Sequence, residues 1–276
     1  MEDPFPQKFG RSELSTFDVS IIRQLYLEGI SDIETSNIVL TGPDIVGSNG
    51  NDTLQGTALP EHLFGLAGND TITGGLRADT IEGGLGTDTA VYEGPRENFL
   101  ITGRGSGQYE ISYAGPIIAI YPPPATEGTD TLIGIERIQF TDTAIALDTG
   151  GRVGQAYRIY KAAFDRTPDT TGLGYWIAQM DKGMDVVEVA ARFIDSAEFR
   201  QLYGSNVSNA AFITNVYKNV LDRNADDVGL AWWVNEMKTN PSKTWQKVLS
   251  DFSESAENKV NVASLIANGI AYDPWE

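Results

Sequence analysis

Residues 47–90 read GSNGNDTLQ (47–55), GTALPEHLF (56–64), GLAGNDTIT (65–73), GGLRADTIE (74–82) and GGLGTDTA (83–90). Written in blocks of nine, every block carries an acid in its sixth place: Asp52, Glu61, Asp70, Asp79 and Asp88. Two positions later comes an apolar residue: Leu54, Leu63, Ile72, Ile81 and Ala90. A plain Gly/Asp-rich loop does not usually keep a nine-residue register together with an apolar position. The apolar member of each tripeptide fits the inner face of a short strand, because strand side chains alternate. The glycines let the backbone turn sharply through positive φ and bare its carbonyl oxygens. Carbonyl and carboxylate oxygens are hard ligands, of the kind calcium gathers in sets of about six to eight.

The blocks follow the pattern GGxGxDxUx and resemble the RTX (hemolysin-type) calcium-binding repeat. The resemblance implies a parallel β-roll in which two nonapeptides make one coil, so that turns eighteen residues apart stack on one edge. On that reading the two edges are unequal. Asp52, Asp70 and Asp88 share one edge, and their turns hold Gly50, Gly68 and Gly86 in the fourth place. The expected calcium ligands are Gly47, Ser48, Gly50 and Asp52 from the first turn, Gly65, Leu66, Gly68 and Asp70 from the second, and Gly83, Gly84, Gly86 and Asp88 from the third. They give two sites, one in each gap. The opposite edge stacks Glu61 over Asp79, with Leu59 and Arg77 in the fourth places and Pro60 beside them. That edge is expected to bind weakly or not at all.

The 276 residues suffice for one to three domains. Net charge is −18, and it is unevenly spread: residues 1–149 carry 7 Lys and Arg against 22 Asp and Glu, residues 150–276 carry 13 against 16. The acidity therefore coincides with the repeats, which argues against a nucleic-acid partner. With no cysteine, disulfides and thiolate metal sites are excluded. No apolar run reaches the length of a membrane span, and MEDPFPQKFG at the start has neither the basic nor the apolar region of a cleavable signal peptide. RTX proteins generally leave Gram-negative cells by type I secretion with an uncleaved C-terminal signal, so the resemblance implies an extracellular protein that engages that apparatus.

Residues 1–37 predict one helix, with Phe17, Ile21, Ile22, Leu25 and Tyr26 on one face behind Ser15-Thr16. A Met-x-x-Pro segment followed by Leu14-Ser15-Thr16-Phe17-Asp18 also resembles the end of a metzincin zinc-protease domain, with Met1 in the Met-turn. The HExxH motif of that family does not occur in the sequence, and His62 is the single histidine. A histidine zinc site cannot be built from it. That resemblance therefore implies a non-catalytic C-terminal remnant of a serralysin-type protease, not an enzyme.

Residues 38–149 are read as the roll and its capping strands. After the repeats, NFLITGR, QYEISYAG, IIAIY, TLIGIERIQF and TAIAL are β-branched or aromatic runs between Gly, Pro and Asp. Gly128–Phe140 resembles the segment that ends many RTX rolls and covers their open end, and Glu136-Arg137 within it reads as a solvated pair. Residues 150–276 change to helical periodicity and contain a duplication: YKAAFDRTPDTTGLGYW (160–176) against YKNVLDRNADDVGLAWW (217–233), and FIDSAE (193–198) against FSESAE (252–257). This resembles a helical domain of unknown function that accompanies RTX repeats. Tyr160 and Phe164 are expected in its core, Asp169 and Asp226 as N-caps, and Trp176 and Trp233 as buried anchors. The DRxxD spacing lacks the ligand pattern of an EF-hand and reads as an Asp–Arg pair with a capping Asp.

The expected fold is thus multi-domain α and β: a helical segment (1–37), a calcium-binding β-roll with a β cap (38–149) and a duplicated all-α domain (150–276). The expected function is that of a secreted, calcium-folded module that binds a cell-surface glycan or protein.

Overall fold

The computed structural model describes residues 41–115 and 128–275. The helix expected in 1–37 and the IIAIY run lie outside them.

Two six-stranded sheets enclose one core. In the first sheet β1 (Ile45–Val46), β3 (His62–Ala67), β5 (Thr80–Leu85) and β9 (Thr129–Ile133) run parallel, followed by the antiparallel hairpin of β8 (Gln108–Tyr113) and β7 (Phe99–Gly105). In the second, β2 (Thr53–Gln55), β4 (Thr71–Thr73), β6 (Thr89–Val91) and β10 (Arg137–Gln139) run parallel, followed by the antiparallel β11 (Ala144–Ala146) and β12 (Ile270–Tyr272). The eighteen-residue coil is explicit in the register, which sets Leu63 beside Ile81, and Leu54 beside Ile72 and then Ala90. Leu63, Ile72, Ile81 and Ala90 are wholly buried, as the alternation requires.

Gly128–Phe140 is itself a coil of the roll. Leu132 continues the Ile81 row and Ile138 the Ala90 row, after the β7–β8 hairpin has been inserted. Closure falls instead to the antiparallel strands, which extend both sheets beyond that coil, and to an aromatic cluster of Tyr92, Phe99 and Phe140. These additions pair strand edges that would otherwise be bare.

The C-terminal part contains eight helices: α1 (Arg152–Phe164), α2 (Thr170–Asp181), α3 (Val186–Ile194), α4 (Ala197–Tyr203), α5 (Asn209–Leu221), α6 (Asp227–Thr239), α7 (Trp245–Ser253) and α8 (Ala256–Ile266). The first four and the last four are the two copies of the duplication. Asp169 accepts from the Gly172 amide at 2.7 Å and Asp226 from the Gly229 amide at 2.8 Å, so both cap as expected. Ser196 and Ser255 cap α4 and α8 in the same way. The arginine of each DRxxD motif pairs principally with the acid of the second matched segment, Arg166 with Glu198 and Arg223 with Glu257, and lies over Tyr160 or Tyr217. Asp165 and Asp222 end their helices in the left-handed conformation, with φ of 49° and 52°. Tyr160 and Phe164 are buried, whereas Trp176 and Trp233 are half-buried against the core.

The helical periodicity of 150–276 gave no sign of β12, which pairs with β11 and so ties the last residues to the roll. β11 has two buried faces: Ile145, joined by Leu147 just beyond the strand, packs in the roll core, and Ala144 and Ala146 in the helical core. At this junction Arg137 is 4% exposed, paired with Asp148 and Asp181. The expected solvated Glu136–Arg137 pair is therefore corrected: the helices cover this end of the second sheet, and a cation buried there needs partners.

Ile81 is at the centre of the roll with no exposed surface. Ile81→Ala leaves a cavity that stacked coils cannot close, and is expected to destabilise the roll by about 3 kcal/mol in chemical denaturation with calcium present.

Candidate metal centre

The turns between strands stack into two edges, and a chain of acids runs up each. On the first, the Asp52 amide donates to Asp70 Oδ1 (2.8 Å), the Asp70 amide to Asp88 Oδ1 (2.8 Å), and the Asp88 amide to Glu136 Oε2 (2.9 Å). On the second, the Glu61 amide donates to Asp79 Oδ1 (2.8 Å) and the Asp79 amide to Asp130 Oδ1 (2.9 Å). One oxygen of each receiving acid thus fastens the coil before it. Asn51 and Asn69 form a parallel ladder on the first edge, accepting from the Asn69 and Thr87 amides. The repeated Asn-Asp pairs at 51–52 and 69–70 carry that feature in the sequence.

The second carboxylate oxygens decide what the edges can do. Asp70 Oδ2, Asp88 Oδ2 and Asp79 Oδ2 are buried without a hydrogen-bond partner. An unpartnered buried carboxylate oxygen is expensive. Each also stands beside bare backbone. A Cβ on Gly65 would run into both Asp70 Oδ2 and the Gly83 carbonyl oxygen, and a Cβ on Gly47 would meet Asp52 Oδ2 and the Gly65 carbonyl oxygen at 2.8 and 2.9 Å. The first-place glycines thus open a space lined by a carboxylate of one turn and a main-chain carbonyl of the next. An all-oxygen lining of this kind fits calcium. Among the described residues no three acidic or histidine side chains converge; at Gly65 and at Gly83 the facing oxygens are one carboxylate and one main-chain carbonyl.

Gly50, Gly68 and Gly86 stack in the fourth places, where a side chain on Gly68 would strike the Gly50 backbone. Leu66 and Gly84 pair in register, with Leu66 at φ 78°. Ser48 donates through its amide (2.6 Å) and hydroxyl (2.9 Å) to Asp52 Oδ2. The outermost acid of the first edge is therefore already partnered, unlike Asp70 and Asp88. On the second edge Thr57 does the same for Glu61 through its amide and hydroxyl. The acid ladder is as regular here as on the first edge, despite Leu59 and Arg77 in the fourth places. Arg77 is forced to φ 76°.

Electrostatics follow from burial and stacking. Burial pushes Asp79 from 3.8 up to about 6, helped by the Glu61 charge and opposed by a hydrogen bond from the Glu61 backbone. Burial raises Asp88 and Glu136 too, each with an acid neighbour adding to it. His62, the one histidine, packs at a tilt against the Phe64 ring and faces Glu82 at 3.7 Å.

The family model described as the RTX calcium-binding nonapeptide repeat (4 copies) matches residues 44–58 and 55–90. The chain carries RTX calcium-binding repeats. A second family model, a domain of unknown function (DUF4214), matches residues 190–262. Among solved structures, the extracellular lipase LipA from Serratia marcescens is 21% identical over 40% of this chain, with a TM-score of 0.30. The match spans only 16% of the lipase. The AlgE6R3 subunit of a mannuronan C5-epimerase from Azotobacter vinelandii is 17% identical over 37% of this chain and 77% of its own, with a TM-score of 0.23. No curated protein sequence matches the chain.

A carboxyl whose folded pKa lies above its unfolded value favours folding fully in acid, and that contribution is lost as pH rises through the folded value. For Asp79 the window runs from 3.8 to about 6. The metal-free protein should lose stability across it, and calcium affinity should rise across it as protons cease to compete. Urea unfolding in metal-free buffer and calorimetric titration at each end of the window check both signs. Separately, Arg77→Gly removes a left-handed non-glycine residue and should raise the urea midpoint by the equivalent of about 0.5–1 kcal/mol, glycine's entropy offsetting part of the gain.

Proposed function

We propose that this RTX protein is exported and folds its roll on meeting calcium outside the cell, after which the helical repeats serve binding or surface association. The observation that carries the proposal is Asp70, 1% exposed, with one oxygen fastening the coil before it and the other unpartnered in a gap shared with the Gly83 carbonyl. In that gap Asp70, with backbone from Gly65, Leu66, Gly68, Gly83, Gly84 and Gly86, would hold one ion. The gap below, with Gly47, Ser48, Gly50, Asp52 and Gly65, would hold another. Asp79 and Glu61 would supply a weaker site on the opposite edge.

Calcium acts here as a folding ligand. A site with a Kd of ~0.1 mM facing ~1 mM calcium contributes about 1.4 kcal/mol, and two sites contribute about 3. At cytosolic calcium the same arithmetic yields almost nothing. The chain would thus stay open for the type I export apparatus and close after release. No helix among the described residues is long and apolar enough to cross a membrane. The partner we infer is a cell-surface glycan or protein, met by the helical part, whose α6 displays Val228 and Trp232 at 80% and 51% exposure. We assign no catalytic role.

Far-UV circular dichroism of the full chain should gain β structure between EGTA and millimolar calcium. Asp70→Asn, which keeps the shape but not the charge, should bind fewer ions in calorimetry and melt lower in calcium. Identical spectra with and without calcium would refute the folding role.

A further inference from the structure

One more gap lies above the turn 83–88, outside the nonapeptide pattern. It is closed by Gly134-Ile135-Glu136, a turn of three residues where the turns beneath it have six, as the pairing of Glu82 with Ile133 and of Thr89 with Arg137 fixes. Nothing in the GGxGxD motif marks it. Yet it retains what a cation needs. Asp88 is wholly buried, its Oδ1 takes the Asp70 amide, and its Oδ2 has no hydrogen-bond partner. A Cβ on Gly83 would run into Asp88 Oδ2 and the Gly134 carbonyl oxygen together, so both line one space against bare backbone. Glu136 occupies the rung above, accepting the Asp88 amide at 2.9 Å as Asp88 accepts that of Asp70.

We propose that the gap between turns 83–88 and 134–136 is a further calcium site, formed by Asp88 Oδ2, the Gly134 carbonyl and the Glu136 carboxylate. The site rests on the reading of the repeats as calcium-binding turns. Its position gives it a distinct role. The Glu136 carbonyl accepts from the Leu147 amide at 2.8 Å. The next residue, Arg137, is the buried cation held by Asp148 and by Asp181 of α2. An ion here fixes the last coil where the helical part leans on it.

The test counts calcium bound to the full chain by equilibrium dialysis, for the wild type, Glu136→Gln and Asp70→Asn, with circular dichroism in calcium as the check on folding. Glu136→Gln should bind one ion fewer than the wild type and keep its spectrum. If Glu136→Gln keeps the wild-type count while Asp70→Asn loses ions, the junction site is wrong and the repeat sites stand. If both variants keep the full count, both readings fall. Should Glu136→Gln fail to fold, wild-type crystals soaked in terbium decide. A peak about 2.5 Å from Asp88 Oδ2 and the Gly134 carbonyl oxygen supports the site, and peaks confined to other gaps overturn it.

Discussion

The roll depends on one repeated contact: the amide of each turn's acid donating to a carboxylate of the coil above. A charge-assisted bond of this kind is stronger than a neutral one. It occupies one carboxylate oxygen and leaves the other to be satisfied elsewhere. At the outermost turns Ser48 donates hydroxyl and amide to Asp52 Oδ2, and Thr57 donates its amide to Glu61 Oε2 and its hydroxyl to Glu61 Oε1. At Asp130 the Tyr92 hydroxyl does so, at 2.9 Å. In the middle of the ladders, at Asp70, Asp79 and Asp88, no protein donor reaches it. The need for a cation is therefore greatest inside the stack and weakest at its ends.

Charge points the same way. Residues 1–149 carry fifteen more acids than bases. The ladders hold carboxylates in rows within a few ångströms of backbone shared between them, and burial raises the pKa of several. A divalent ion offsets that repulsion and desolvation at once, which a monovalent counterion in the surrounding water does not. The helical repeats show the opposite arrangement. Arg158 is bound at both Nε and Nη2 by Glu254, Arg166 by Glu198 and Arg223 by Glu257. These three arginines are paired within the helical half.

Much of this was legible in the chain. The nine-residue spacing gives the coil, the inward row from Leu63 to Ala90 and the acids of both edges. The duplicated segments give the caps at Asp169 and Asp226. Three features were not. The last coil was hidden because its acids, Asp130 and Glu136, stand 51 and 48 residues from the Asp79 and Asp88 they cover, across an inserted hairpin. The regularity of the opposite edge was hidden because Leu59, Pro60 and Arg77 break the glycine pattern, while the acid ladder needs only an amide and a carboxylate in register. Strand β12 was hidden because three residues, Ile270–Tyr272, carry too little periodicity to be read beside a helix.

That last strand bears on how the two halves communicate. β11 lies between β10 of the last coil and β12, and its alternate side chains enter different cores. Asp273, just beyond β12, is bound by the Thr170 and Thr171 hydroxyls at 2.8 and 2.7 Å, and its amide donates to the Thr170 carbonyl. One continuous sheet therefore runs from the repeat strands through β10 and β11 to the segment clasping α2. An ion that fixes the turns fixes the register of β10. β10 sets β11, and β11 presents Ala144 and Ala146 to the helices. Packed interiors do not deform gradually. Loosening the roll would therefore either break the β11–β12 pairing or disturb the helical part as a whole, because its two copies share one core in which α1 and α3 of the first pack against α7 of the second.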